Sequence, residues 1–139
     1  MRTGILLLNF GEPERADFDT VVSYLEAIFA ANFRLEHAAD PEAGRRRARK
    51  LAERRAPGLI EDYELMGESP LRRQTKAQAR ALEEEFRRRG NEFSVSVGMQ
   101  FTKPSIEGAL GEFEEAGVER IIALPMYRLC GPSTTVFAL

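Results

Sequence analysis

At 139 residues, 43% hydrophobic and 30% charged, the chain has an ordinary globular composition and enough length to bury a sizeable core. Its net charge of −2 gives no reason to expect nucleic acid or an anionic membrane as partner. The single cysteine, Cys130, excludes an internal disulfide and any thiolate-only metal cluster within one chain.

The chain opens on Thr3–Phe10, a short apolar run closed by Gly11 and Pro13, which reads as a buried strand. Its apolar part, Ile5 to Leu8, is too short for a membrane span or the apolar region of a signal peptide. A soluble, cytoplasmic protein without a transmembrane segment is therefore expected. Ala16–Phe29 carries helical spacing through Val21, Val22, Leu25 and Ile28 or Phe29. Residues 31–44 are mixed. From Arg45 to Met66 the pattern predicts a basic helix, a break near Pro57–Gly58, and a second helical piece. The charge-dense Arg45–Arg55 keeps apolar spacing and reads as a solvated helix face.

Pro70–Arg89 is the clearest helix, with Leu71, Thr75, Gln78, Leu82 and Phe86 on one face and Gly90 as its stop. Phe93–Phe101 alternates Phe93, Val95 and Val97 with smaller residues, as a strand does. A helix from about Pro104 to Ala116 and a third strand, Ile121–Met126, complete the pattern. A further helix would begin near Ser133. The order predicts an α/β fold: a three-layer, Rossmann-like parallel sheet with flanking helices and right-handed crossovers. Three strands are few for such a sheet, and an apolar edge is expected where a further strand would pair.

Ligand sites in open α/β sheets lie at the carboxyl ends of the strands, which directs attention to the segments that follow them. Phe10 ends the first strand, and Gln100 and Phe101 end the second. Ser69 can cap the helix that Pro70 opens, and Tyr127, Ser133 and Thr134 follow the third strand. His37 is the only histidine and reads as a surface residue, as do Arg72 and Arg73. Cys130 reads as a small, at least half-buried apolar residue. Glu83–Glu85 and Glu112–Glu115 are solvated helical stretches with no second ligand type at metal-binding spacing.

Four segments, LLNFGEP at 7–13, GESPL at 67–71, GMQFTKPSI at 98–106 and IALPMYRLCGPSTT at 122–135, together resemble, in the same order, segments of ferrochelatases, the enzymes that insert iron into a porphyrin. The resemblance implies that the chain, residues 1–139, is the amino-terminal α/β domain of that two-domain fold, lacking its last strand and the whole second domain. It implies porphyrin-binding roles for Phe10, Gly11, Pro13, Ser69, Pro70, Gln100, Phe101, Tyr127, Ser133 and Thr134. Phe10 stands where the family often has Tyr or Met, so it could stack on a macrocycle but not ligate iron. Gln100 can donate a hydrogen bond to a propionate without the charge assistance of a basic residue. Tyr127-Arg128-Leu129-Cys130-Gly131 replaces the family's commoner Tyr-Pro-Gln-Tyr-Ser, which removes a stiffening proline from the turn.

Metal insertion demands removal of two pyrrole protons, distortion of the ring and delivery of a partly desolvated metal. These steps need a base and open-site ligands. The resemblance puts the family's His and Glu for them in the second half, and no position here matches. No catalytic or metal-binding residue and no bound cofactor are thus expected in this chain. Fe(II) and a porphyrin would be substrates, and a carboxyl-terminal half or a second copy of the chain would be the protein partner. Alternatives are a minimal homodimeric chelatase and a non-catalytic tetrapyrrole-binding or interaction module. A flavodoxin-like nucleotide domain is disfavoured because Gly11-Glu12-Pro13 is acidic where a phosphate loop would lie.

Overall fold

The computed structural model describes residues 1–36, 40–67 and 69–126. In chain order these form β1 (Thr3–Asn9), α1 (Phe18–Glu36), α2 (Pro41–Met66), α3 (Leu71–Arg88), β2 (Phe93–Met99), α4 (Ile106–Glu115) and β3 (Arg120–Pro125). They fall into two units. A sheet unit combines Met1–Gly11 with the described residues from Pro70 onward, and a helical unit comprises Glu12–Ser69.

In the sheet unit the strand order is β2-β1-β3, with both pairings parallel. The α/β architecture with a parallel sheet and flanking helices is thus as expected. The central strand β1 is buried at all seven positions, which is why its sequence is a continuous apolar run rather than an alternating one. Its side chains nevertheless divide by the strand period of two. Ile5 and Leu7 pack with Ala79, Leu82 and Phe86 of α3, whereas Leu6 and Leu8 pack with Ala109 and Phe113 of α4. The two helices therefore cover opposite faces of the sheet.

Gly4 is part of this packing. A Cβ at this position would lie 2.9 Å from the edge of the Phe113 ring, which is itself 2% exposed. Each helix ends at a glycine of positive φ, Gly90 after α3, as expected, and Gly117 after α4. Asn91 N–H donates to Phe86 C=O at 2.9 Å after α3, and Val118 N–H donates to Phe113 C=O at 2.9 Å after α4. These are the long bonds of the Schellman arrangement, and Phe113 and Val118 also make its apolar contact. Ser105 Oγ caps the other end of α4, accepting from Gly108 N–H at 3.1 Å. The edge strand β3 leaves Ile121, Ile122 and Leu124 each about two-fifths exposed, so the sheet has an apolar margin.

The helical unit pairs α1 with α2. Val21, Val22 and Leu25 of α1 meet Ala52 and Ala56 of α2. Alanines spaced one turn apart let the two backbones approach closely. Asp17 caps α1, accepting from Thr20 N–H at 2.9 Å. Asp40 caps α2, accepting from Glu42 and Ala43 N–H at 3.1 and 3.0 Å. Arg49 bridges the pair, donating to Glu26 at 3.1 Å and to Glu53 at 2.7 Å.

Three expectations need correction. The chain does not break at Pro57–Gly58: α2 runs unbroken from Pro41 to Met66 with Pro57 inside it. Pro57 lies on the exposed face, where water can satisfy the Glu53 carbonyl that the missing N–H would have met. Packing of Ala52, Ala56, Leu59 and Ile60 on α1 holds the helix together on either side. Helix α1 likewise continues to Glu36, well past Phe29, with Ala31 buried and Arg47 of α2 5.0 Å from the Phe33 ring centroid. On α3, Gln78 is exposed and Ala79 takes the core position beside Thr75, because the i, i+4 step from Thr75 points at β1. Among the described residues no helix is long and apolar enough to cross a membrane.

Candidate functional site

The backbone ladder of the sheet extends one step past the strands. Gln100 N–H donates to Asn9 C=O at 2.9 Å, Phe101 N–H to Phe10 C=O at 3.1 Å, and Met126 N–H to Leu8 C=O at 2.9 Å. These bonds bring the residues following β1 and β2 side by side at the carboxyl end of the sheet. There the Phe10 and Phe101 rings meet edge to face, with centroids 4.8 Å apart and planes at 65°. Both rings are half-buried, as is Gln100. The pair presents partly open apolar ring area at the end of the sheet.

Gly11 locks the two loops together. Its φ of +100° lies in the region that glycine tolerates and other residues avoid. Thr102 Oγ1 occupies the space where a Cβ on residue 11 would sit. A side chain at 11 would therefore be strained twice, by its own backbone and by Thr102. The loop after β2 closes on itself through Met99 N–H to Pro104 C=O at 2.7 Å.

Beneath Phe10 lies a buried polar pair that sequence reasoning missed. Asn9 Nδ2 donates to Thr75 Oγ1 at 2.9 Å, and Asn9 Oδ1 accepts from Phe10 N–H at 2.9 Å. Thr75 Oγ1 in turn donates to Leu71 C=O at 2.8 Å. The available signal was an asparagine ending an apolar strand and a threonine on the apolar stripe of a helix, since buried polar groups require partners.

Of the expected site residues, Phe10, Gly11, Gln100 and Phe101 come together at this one end of the sheet unit. Pro70 is the N-cap residue of α3 and provides no side-chain cap. Ser69 lies one position outside the helix rather than at the cap itself. Pro13, buried, and Ser69, half-buried, belong to the helical unit. Tyr127, Ser133 and Thr134 lie outside the described residues, as do His37 and Cys130. Arg73 is exposed as expected, but Arg72 is half-buried with its Nε enclosed.

The strand-end residues Asn9, Phe10, Gln100, Phe101 and Thr102 carry no titrating group. In the helical unit, burial pushes the Tyr24 phenol up, with the nearby Tyr63 and Glu12 adding to it. Burial and Glu12 push the Tyr63 phenol in the same direction. Both phenols thus stay protonated at neutral pH. Among the described residues no group of three or more His, Cys, Asp or Glu side chains could hold a metal ion. Among the described residues, the strand ends offer ring surface and a side-chain amide.

The ferrochelatase family model matches residues 2–139. A curated ferrochelatase of Aquifex aeolicus (strain VF5) is 34% identical over 97% of this chain and 41% of its own length. One of Synechococcus sp. (strain JA-3-3Ab) is 36% identical over 96% of this chain and 39% of its own length. One of Citrifermentans bemidjiense is 32% identical over 96% of this chain and 41% of its own. The chain therefore spans only about two-fifths of these relatives.

Proposed function

This chain belongs to the ferrochelatase family, and on that premise we propose that it supplies one wall of a porphyrin-binding cleft for iron insertion in haem synthesis. The observation that carries the reading is the Phe10–Phe101 pair at the carboxyl ends of adjacent strands. A flat, largely apolar macrocycle requires a rigid apolar surface with a few fixed polar groups at its margin. The two rings provide the surface, and Gln100, next in sequence to Phe101, carries an amide that can donate to a propionate. Phe10 has no lone pair to give iron, so its part is to hold the ring system.

Insertion replaces two pyrrole N–H protons by Fe(II): the metal forms four Fe–N bonds and two protons leave. A base must accept those protons, and open-site ligands must hand over the metal. The strand-end residues described here have neither property. In this proposal they bind and orient the porphyrin, while proton removal and metal delivery fall to a further part, corresponding to the remaining three-fifths of the relatives. The setting proposed is the cytoplasm, with porphyrin and Fe(II) as substrates and no cofactor held by this chain.

The test is a titration of the full chain with protoporphyrin and with coproporphyrin, followed by Soret absorbance. Iron(II) is then added anaerobically, with and without the carboxyl-terminal part of the Aquifex aeolicus relative. Porphyrin should bind, Phe10→Ala and Phe101→Ala should each weaken binding about three- to tenfold, and iron should enter only with the added part. Absence of porphyrin binding refutes the reading. Insertion by this chain alone refutes the division of labour and favours a homodimeric chelatase. Binding without insertion in either mixture favours a non-catalytic tetrapyrrole-binding module.

A further inference from the structure

Asn9 is 9% exposed and Thr75 1% exposed, and the hydrogen bonds between and around them leave one consistent arrangement. The Thr75 hydroxyl has a single proton, and it is directed to Leu71 C=O at 2.8 Å. Thr75 Oγ1 can therefore only accept from Asn9, which requires the amide nitrogen on that side, 2.9 Å away. The amide oxygen must then face the Phe10 N–H, also at 2.9 Å, a group that can only donate. Each bond dictates the direction of the next.

This relay joins segments that are remote in sequence. Asn9 and Phe10 lie where the chain leaves the sheet unit, and Leu71 and Thr75 where it returns. The relay runs from the backbone of an aromatic lip residue, through β1, into the first turn of α3 beside Pro70. Thr75 is enclosed and cannot touch a ligand lying on the Phe10 and Phe101 rings.

We infer that Asn9 and Thr75 are positioning residues: their side chains fix Phe10 against the first turn of α3 and so hold the aromatic wall in its porphyrin-binding geometry. The inference deepens the proposed function and rests on it. Loss of the Thr75 hydroxyl frees the Asn9 amide to turn, the Phe10 N–H loses its acceptor, and the ring loses its fixed entry angle. Packing is preserved in Thr75→Val, since the methyl replaces the hydroxyl at nearly equal volume. Thr75→Ser restores the hydroxyl.

The experiment reads two quantities on the full chain: amide hydrogen exchange at Phe10 by NMR, without porphyrin, and porphyrin affinity by Soret titration. Thr75→Val should speed exchange at Phe10 about tenfold, leave Leu6 and Leu7 unchanged, and weaken porphyrin about tenfold. Thr75→Ser should return both towards wild type, and Asn9→Ala should reproduce Thr75→Val. Unchanged Phe10 exchange in Thr75→Val overturns the inference whatever porphyrin does. Faster exchange with unaltered affinity overturns it as well, while the proposed function stands. If the wild-type chain fails to bind porphyrin, the proposed function fails and the positioning role falls with it. Exchange accelerated throughout β1 would mark a purely structural role and also overturn it.

Discussion

Gly4→Ala tests the packing of the sheet unit most directly. The added Cβ would stand 2.9, 3.0 and 3.1 Å from three atoms of the Phe113 ring, closer than carbon atoms pack. The ring is 2% exposed and clustered with Leu6, Leu8 and Ala109, so it has no open side to retreat to. Overpacking of this kind costs about 1–3 kcal/mol. Restricting the unfolded chain by replacing glycine offsets about 0.4–1 kcal/mol. The net loss should be about 1–2 kcal/mol, a fall of roughly 0.5–1 M in the urea midpoint at an m-value near 2 kcal/mol/M. Phe113→Leu, which removes the ring edge, should cost about 1 kcal/mol alone. The double variant should then be about 1 kcal/mol more stable than the sum of the single losses predicts. Urea unfolding monitored by exchange at the β1 amides reads this unit specifically. An undiminished midpoint for Gly4→Ala, or strict additivity in the double variant, would refute the account of why residue 4 is glycine.

Gly11→Ala faces both a φ of +100° and the Thr102 side chain, so it should cost about 1–3 kcal/mol. Adding Thr102→Ala should recover only part of that loss in the same unfolding assay, because the backbone strain remains. Pro57→Ala restores an N–H for the Glu53 carbonyl inside α2 and should stabilise the helical unit by about 1–3 kcal/mol. A lowered urea midpoint would contradict it. The Asp17 carboxyl titrates at about 2 rather than 3.8, held down first by the Thr20 N–H and then by Arg15. A folded value below the unfolded one means its capping contribution is complete above about pH 4 and is lost as pH falls towards 2. Carboxyl NMR should follow that titration, and Asp17→Asn should make fraying of the first turn of α1 independent of pH across that window.

Much of the fold was legible because its signals are local. A strand covered on both faces needs a continuous apolar run, and Ile5–Leu8 is one. Helices stop where a glycine can follow, as Gly90 does α3. The helical unit was less legible. Pro57–Gly58 is a strong local signal for a break, and only the contact of Ala52, Ala56, Leu59 and Ile60 with α1 overrides it. Gln78 was misplaced because its spacing from Leu71 and Thr75 fits a helix face. Whether Gln78 or Ala79 turns inward depends on where β1 lies.

The same division holds at the candidate site. The family resemblance marked Phe10, Gly11, Gln100 and Phe101, and residues just past parallel strands converge on the end of the sheet. That the two phenylalanines meet at 4.8 Å depends on the register of β1 with β2. That Asn9 meets Thr75 depends on a pairing across 66 positions. The sequence by itself determined which elements form and which residues stand at their ends, because propensity, capping and hydrophobic period act over a few neighbouring residues. Only the tertiary structure decided which of those ends touch, which helix survives its proline and which polar groups find partners, because such contacts join residues that no local signal relates.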